Sequence, residues 1–383
     1  MSRRGWGKKG GKNMDSIVDD AVRYAAQVGQ LGDGLFGGPN IVVVGCGGAG
    51  NNSVSRLKQI GIQGAKTIAI NTDALHLSVV SSDTKLLVGK TVTRGLGAGG
   101  NPEVGRKCAE IDSNSIKEAL VGSDLVFITA GMGGGTGTGT APVVAKIAKD
   151  MGAITVGMVT TPFNVERGGR MNQARKGLYE LSKMCDTTVI LDNNKLLRYF
   201  PNLPVNAAFS VIDQLIAETV GGISETITKP SLINLDFADV KTIMSCGGVA
   251  VMLYGEAPHG GSADETVKKI VSAALNQPLL EVEFNHGTGA LIHISGGPDL
   301  TIEEAAKITD GLTDALDPSA NVIFGTRVSE DMKGKVKVMA IITGVHSPDI
   351  LGPYSRKGLK EPEGEMRAEA VARVQRSGLE WIS

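Results

Sequence analysis

The chain has 383 residues, 42% of them hydrophobic and 21% charged, with a net charge of −1. That length suits two domains with cores of their own, and near-neutral charge gives no reason to expect nucleic acid as a partner. No apolar run reaches the roughly 18 residues of a membrane span, and no signal-like segment opens the chain, so a cytoplasmic protein without membrane insertion is expected.

Residues 1–12 hold five Lys/Arg and no acid, which reads as a solvated tail, with contact to an acidic surface as the alternative. Residues 14–28 place Ile17, Val18, Ala21, Val22 and Ala25 on one helical face. Ile41–Val44 reads as a buried strand, followed by the glycine turn 45–50 and a helix over 51–60. A second strand, 66–70, ends in Asn71-Thr72-Asp73, and a third, 85–88, precedes the glycine-rich loop 95–102. A helix is expected over 103–119, then an apolar strand over 124–130.

The stretch Gly131–Thr140 (GMGGGTGTGT) falls between that strand and a helix over 141–149, with Pro142 in what reads as its first turn. A glycine-rich turn between a strand's carboxyl end and a helix's amino end exposes free amides to an anion. A flexible linker has the same composition but seldom sits tightly between a core strand and a helix. Further strands at 154–159 and 187–191, separated by a helix over 170–185, complete an alternating pattern. The fold class is therefore α/β, a parallel sheet with helices on both faces, and its loops 45–50, 71–73, 95–102 and 131–140 should converge on one pocket.

A long helix over 204–227 reads as a spine joining two domains. Beyond it, strands near 248–255, 288–294, 321–328 and 335–343 with helices at 263–276 and 302–316 describe an α+β domain with a four-stranded sheet. The boundaries are 1–39 for the tail and extension helix, 40–204 for the nucleotide-binding domain, 205–230 for the central helix, 231–345 for the second domain, and 346–383 for a linker and tail. The cysteines Cys46, Cys108, Cys185 and Cys246 show no CxxC pair and suit reduced thiols; no histidine spacing suggests a metal ligand set.

Gly45–Gly50 satisfies G-x-G-x-x-G after a strand, and Asp73 ends the next strand, which alone would suggest an NAD-dependent oxidoreductase. One pyrophosphate does not need the further glycine cradles at 95–102 and 131–140, whereas a triphosphate does. A P-loop is excluded: the nearest candidate, Gly89-Lys90-Thr91, has Thr84 where the first glycine should stand.

This combination resembles the tubulin/FtsZ family over roughly residues 40–345. The motif GGGTGTGT at 133–140 is similar to that family's signature loop, and GCGGAGNN at 45–52 to the first phosphate loop of FtsZ. NTD at 71–73, GLGAGGNPEVG at 95–105, TTPF at 160–163 and NLDFADVK at 234–241 resemble its later loops in order. The helix before residue 40 suggests the archaeal type.

The resemblance implies that GTP or GDP binds here, with Mg2+ held through phosphates and water. Gly47, Gly48, Ala49, Gly50 and Asn51 would line the α- and β-phosphates. Gly135, Thr136, Gly137 and Thr138 would hold the β- and γ-phosphates, with Ala98, Gly99 and Gly100 closing over the γ-phosphate. Glu166 would accept from the ribose and Arg170 lie by the sugar and base, although an i,i+4 surface ion pair is the plain alternative. Phe209, otherwise a core residue, would stack on guanine, and Asn193 and Asp213 would bond its edge. Asp73 would orient magnesium through water or merely cap a turn.

No general base stands out among the pocket loops. Asp236 and Asp239, at i,i+3 on a helix start, are the candidates, with helix capping as the alternative. The resemblance implies that they, with Asn234, serve the nucleotide of the next subunit in a head-to-tail homopolymer, forming the division ring at mid-cell. It also implies that the tail ending Leu379-Glu-Trp-Ile382 docks on division proteins or a membrane tether; a frayed end is the alternative.

Overall fold

The computed structural model describes residues 38–345 except 167, 200, 203, 229–235, 246–247, 261, 277–278, 281 and 283–286. The helix expected at 14–28, the tail, the linker, Asn234 and Cys246 lie outside the described residues.

The first half runs β1 (Ile41–Cys46), α1 (Gly47–Ile60), β2 (Ala65–Asn71), α2 (Ala74–Val79), β3 (Thr84–Leu87) and α3 (Lys90–Thr93). It continues with α4 (Pro102–Ile111), α5 (Ser113–Ala119), β4 (Leu125–Gly131), α6 (Thr136–Asp150), β5 (Ile154–Thr161), α7 (Gly168–Met184), β6 (Thr187–Asp192) and α8 (Asn193–Tyr199). The spine α9 (Val205–Thr228) leads to α10 (Phe237–Met244), β7 (Val249–Pro258), α11 (Ala263–Asn276), β8 (Gly289–Gly296), α12 (Ile302–Thr313), β9 (Asn321–Val328) and β10 (Lys335–Val345).

Strands β1 to β6 are parallel, and their order β3-β2-β1-β4-β5-β6 puts the first strand near the middle. The four expected strands of the second domain are present as β7-β10-β8-β9, with β10 antiparallel to both its neighbours. They continue the first sheet, because β6 and β7 pair in parallel at Thr188–Val249 and Val189–Ala250. Every residue of β1 is buried since helices cover both faces. Its alternation divides the core: Ile41 and Val43 pack with Leu57 of α1 and Ile216 of α9, while Val42 and Val44 pack with Val144 of α6 and Leu181 of α7. Such burial is worth about 1.5–3 kcal/mol for each large side chain. Cys46, Cys108 and Cys185 are free, buried thiols.

Three local readings need correction. The helix expected over 103–119 is two helices, broken at Asp112, whose carboxylate leaves the helix pattern to accept from the Gly89 amide at 2.6 Å. Helices α1 and α6 begin inside their glycine stretches, at Gly47 and Thr136, several residues before the positions that periodicity suggests. Pro142 therefore lies inside α6 rather than in its first turn. Glycine carries no apolar signal, so a helix start built from glycine and threonine is invisible to periodicity.

Candidate functional site

The carboxyl ends of β1, β2 and β4 meet at one edge of the sheet, and the glycines there are required by close approach. A Cβ on Gly47, which sits at φ +71°, would stand 2.7 Å from the Gly137 amide nitrogen, so the first turns of α1 and α6 touch. The Thr72 and Thr136 hydroxyls share a hydrogen bond of 2.6 Å, which ties the loop after β2 to the start of α6. The Gly97 amide donates to the Thr72 carbonyl at 3.0 Å, and a Cβ on Gly135 would meet Ala98 Cβ at 2.9 Å. The four loops touch one another here, but only 45–50 and 131–140 contribute lining to the cleft beside them, while 71–73 and 95–102 pack behind it.

Neither α1 nor α6 has a side-chain cap: Cys46 and Gly135 occupy the two N-cap positions and make no such bond. Their first-turn amides are left for a ligand, and the dipoles of both helices favour an anion there. An open cleft of about 270 Å³ starts at this point, lined by Gly48, Ala49, Gly135, Thr136 and Gly137. At its far end stand Glu166, Arg170, Asn193 and Phe209.

That far end combines an aromatic ring with polar and charged groups. Phe209 is 45% exposed and rests edge-on against buried Phe163, with ring centroids 5.3 Å apart at 79°. Glu166 pairs with Arg170 at 2.7 Å and accepts from the Phe163 amide at 2.8 Å, so the ion pair anticipated from spacing exists and flanks the cleft. Asn193 Oδ1 is buried without a hydrogen-bond partner, an acceptor in want of a donor. A smaller compartment adjoins, sharing Ala49, Gly131, Thr160, Asn193 and Phe209 with the cleft and adding Ser53 and Asp213. Burial raises the Asp213 carboxyl to about 6, against the lowering effects of the Ser53 hydrogen bond and the Arg56 charge.

The remaining expected residues stand behind or beside the lining. Gly50 is where α1 crosses β4: a Cβ there would lie 2.1 Å from the Thr129 carbonyl oxygen. Asn51 is fully buried and donates to the Ile70 carbonyl at 3.3 Å. Buried Thr138 braces its own loop by accepting from the Gly133 amide at 2.8 Å. Asp73 caps α2, accepting from the His76 amide at 3.1 Å. Ala98 packs against Gly135, while Gly99 and Gly100 are exposed with positive φ.

Asp236 and Asp239 are elsewhere. Both are exposed at the start of α10, and Asp236, though at the N-cap position, makes no side-chain capping bond. They follow the carboxyl end of α9, whose amino end carries Phe209. The 19 residues from Phe209 to Thr228 span roughly 30 Å at helical rise. No residue of α10 lines the cleft.

Sequence reasoning missed Ser53 and Phe163 as supports of Asp213 and Phe209. Ser53 lies three residues after Gly50, on the same face of α1, but its partner is 160 residues away.

Two uncapped helix starts facing a cleft, with an aromatic ring and a carboxylate at the other end, define an α/β protein whose cleft suits an anionic ligand that carries a ring. Residues 40–201 match the model of the Tubulin/FtsZ family, GTPase domain, and residues 248–346 match the FtsZ family, C-terminal domain. Cell division protein FtsZ 2 of Halobacterium salinarum is 56% identical over 359 residues, covering 92% of this chain and 90% of that protein. Cell division protein FtsZ 2 of Methanocaldococcus jannaschii is 57% identical over 336 residues, covering 88% of each. The empty FtsZ dimer of M. jannaschii superposes with a TM-score of 0.76 at 47% identity, covering 86% of this chain and 92% of that one. The chain belongs to the tubulin/FtsZ family and carries its GTPase domain. The dinucleotide reading of Gly45–Gly50 gives way to guanine nucleotide.

Proposed function

We propose that this protein is a cell-division GTPase that assembles head to tail, each subunit completing the hydrolytic site of its neighbour. One observation carries the reading: the phosphate end of the cleft is lined by amides and hydroxyls without a carboxylate, whereas two exposed acids stand at the far end of α9. Glu166, the carboxylate that lines the cleft, is already engaged with Arg170 and the Phe163 amide.

In this reading the first-turn amides of α1 and α6 hold the phosphates, and Gly99 and Gly100 close over the γ-phosphate. Asp236 and Asp239 of the next subunit orient the attacking water, while the fixed amides stabilise developing negative charge. Magnesium would take its ligands from phosphate oxygens and water, Asp73 orienting one such water; no cluster of three His, Cys, Asp or Glu suited to a metal occurs among the described residues. A contact between opposite ends of the molecule is heterologous, and repeating it gives a filament. The relatives are cell-division proteins, and one was solved as a dimer, which supports this assembly at the mid-cell division site. The segment 366–383 would dock on division partners or a membrane tether.

Phosphate release per subunit tests the proposal directly. It should rise with protein concentration, in step with pelleting in GTP but not in GDP. A constant rate per subunit down to dilutions where nothing pellets would place the whole hydrolytic site within one chain and reject the shared one.

A further inference from the structure

The compartment beside the cleft holds a carboxylate whose orientation is set by a residue from another helix. Ser53, 2% exposed on α1, has its hydroxyl 2.6 Å from Asp213 Oδ1 on α9 and 3.4 Å from the Ala49 carbonyl. A hydroxyl has one proton to give, and the short contact to a carboxylate takes it. Arg56, one turn further along α1, spends its Nε on Gln214 Oε1 at 2.6 Å and so stands near Asp213 without pairing to it. Among the described residues, the other polar groups lining the compartment are Asn52, Thr129, Thr160 and Asn193, none of them ionisable.

We propose that Ser53 is a positioning residue for guanine recognition: its hydroxyl holds one Asp213 oxygen, favours the ionised carboxylate, and leaves Oδ2 to accept from the base. This rests on the reading of Asp213 as the guanine partner. An acceptor-only carboxylate suits the N1–H and exocyclic amine of guanine, whereas a protonated one would present a donor to those donors. Desolvation pushes Asp213 toward the protonated form, and Ser53 is the one direct hydrogen-bond donor opposing it, with Arg56 helping through space. Guanine affinity thereby depends on a hydroxyl that never needs to touch the nucleotide.

The test is GDP affinity of the nucleotide-stripped full chain by equilibrium dialysis, from pH 5 to 8.5, for the natural protein, Ser53→Ala, Ser53→Thr and Asp213→Asn. Affinity of the natural protein should fall as the pH drops below about 6. In Ser53→Ala the fall should begin roughly one pH unit higher, with roughly a twofold loss at pH 7 growing to roughly fivefold at pH 6; Ser53→Thr should restore both. Asp213→Asn should bind weakly with no acid limb. If Ser53→Ala keeps natural affinity and midpoint while Asp213→Asn loses GDP, Ser53 has no such role and the base reading stands. If Asp213→Asn binds GDP as tightly as the natural protein, the base reading fails and this proposal with it. Should Ser53→Ala melt early, Ser53→Thr against Ser53→Val, matched in volume and differing by the hydroxyl, makes the same comparison.

Discussion

A Cβ on Gly139 would stand 2.1 Å from the carbonyl oxygen of Pro102 and 2.5 Å from the Arg106 amide nitrogen. This glycine of the signature stretch therefore serves helix packing, letting α4 lie backbone to backbone on α6. Gly105 does the same from the other side, where a Cβ would be 2.5 Å from the Gly135 carbonyl oxygen. Backbone cannot swing aside as a flexible side chain can, so Gly139→Ala must push α4 off α6 and drag residues 98–101 away from Gly135. The expected outcome is a loss of about 1–3 kcal/mol of stability by denaturant unfolding, accompanied by weaker GTP binding. Unchanged stability would show that α4 yields freely.

Asp213 supplies a prediction with opposite signs for stability and binding. Burial raises its carboxyl from 3.8 to about 6, so the folded state holds the proton more tightly than the unfolded one. Stability from this group is fully present below about 3.8 and is lost as the pH rises through about 6. At neutral pH the nucleotide-free protein thus carries an ionised, partly desolvated carboxylate at a cost of about 1–3 kcal/mol. Asp213→Asn should raise the melting temperature of the nucleotide-free protein by a few degrees at pH 7.5 and leave it unchanged near pH 4. The same change should weaken GDP binding by about 1.5–3 kcal/mol, the worth of a hydrogen bond to a charged group. A melting temperature that falls at pH 7.5 would contradict the sign.

How much of this was legible in the sequence depends on the range of the contact involved. Strand β4 and the glycine stretch after it could be read locally, because a buried parallel strand is a continuous apolar run and its turn is rich in glycine. The placement of Phe209, Asn193 and Asp213 at one end of the cleft came from family resemblance, since nothing local distinguishes Phe209 from a core residue of α9. The continuity of the sheet rests on two rungs between β6 and β7, separated in the chain by α8, α9 and α10, and no local pattern announces it. Ser53 was illegible for the same reason: a serine on a helix says nothing until its partner 160 residues later is in place.

Phe209 is half exposed beside the cleft and meets Phe163 in a T-shaped contact, so part of its ring stays open to a ligand. Phe209→Ala should leave thermal stability nearly unchanged, because little apolar area leaves the core. Nucleotide affinity should drop by about 0.5–1.5 kcal/mol, the range for an aromatic pair beyond simple burial. Phe209→Tyr, which keeps the ring, should bind as the natural protein does. Titration calorimetry with GDP on the three proteins decides it; equal affinity across them would remove Phe209 from the base site.

Asp239 offers the sharpest test of a site divided between subunits. It is exposed in the first turn of α10, so Asp239→Ala removes no buried contact, and stability should change by less than about 0.5 kcal/mol. GTP binding should be intact, since the cleft lies at the other end of α9. Phosphate release should fall by roughly 10²–10⁴, the usual contribution of a positioned acid–base group. Mixing gives the discriminating result. A subunit with Asp239→Ala keeps a sound cleft, and one with Thr136→Val, which loses the hydroxyl bonded to Thr72, keeps sound acids. In a shared site the two defective proteins together should release phosphate faster than the sum of each alone, because some junctions join a sound cleft to sound acids. Strict additivity at every ratio, with both proteins present in the same pellet, would mean that Asp239 acts within its own chain.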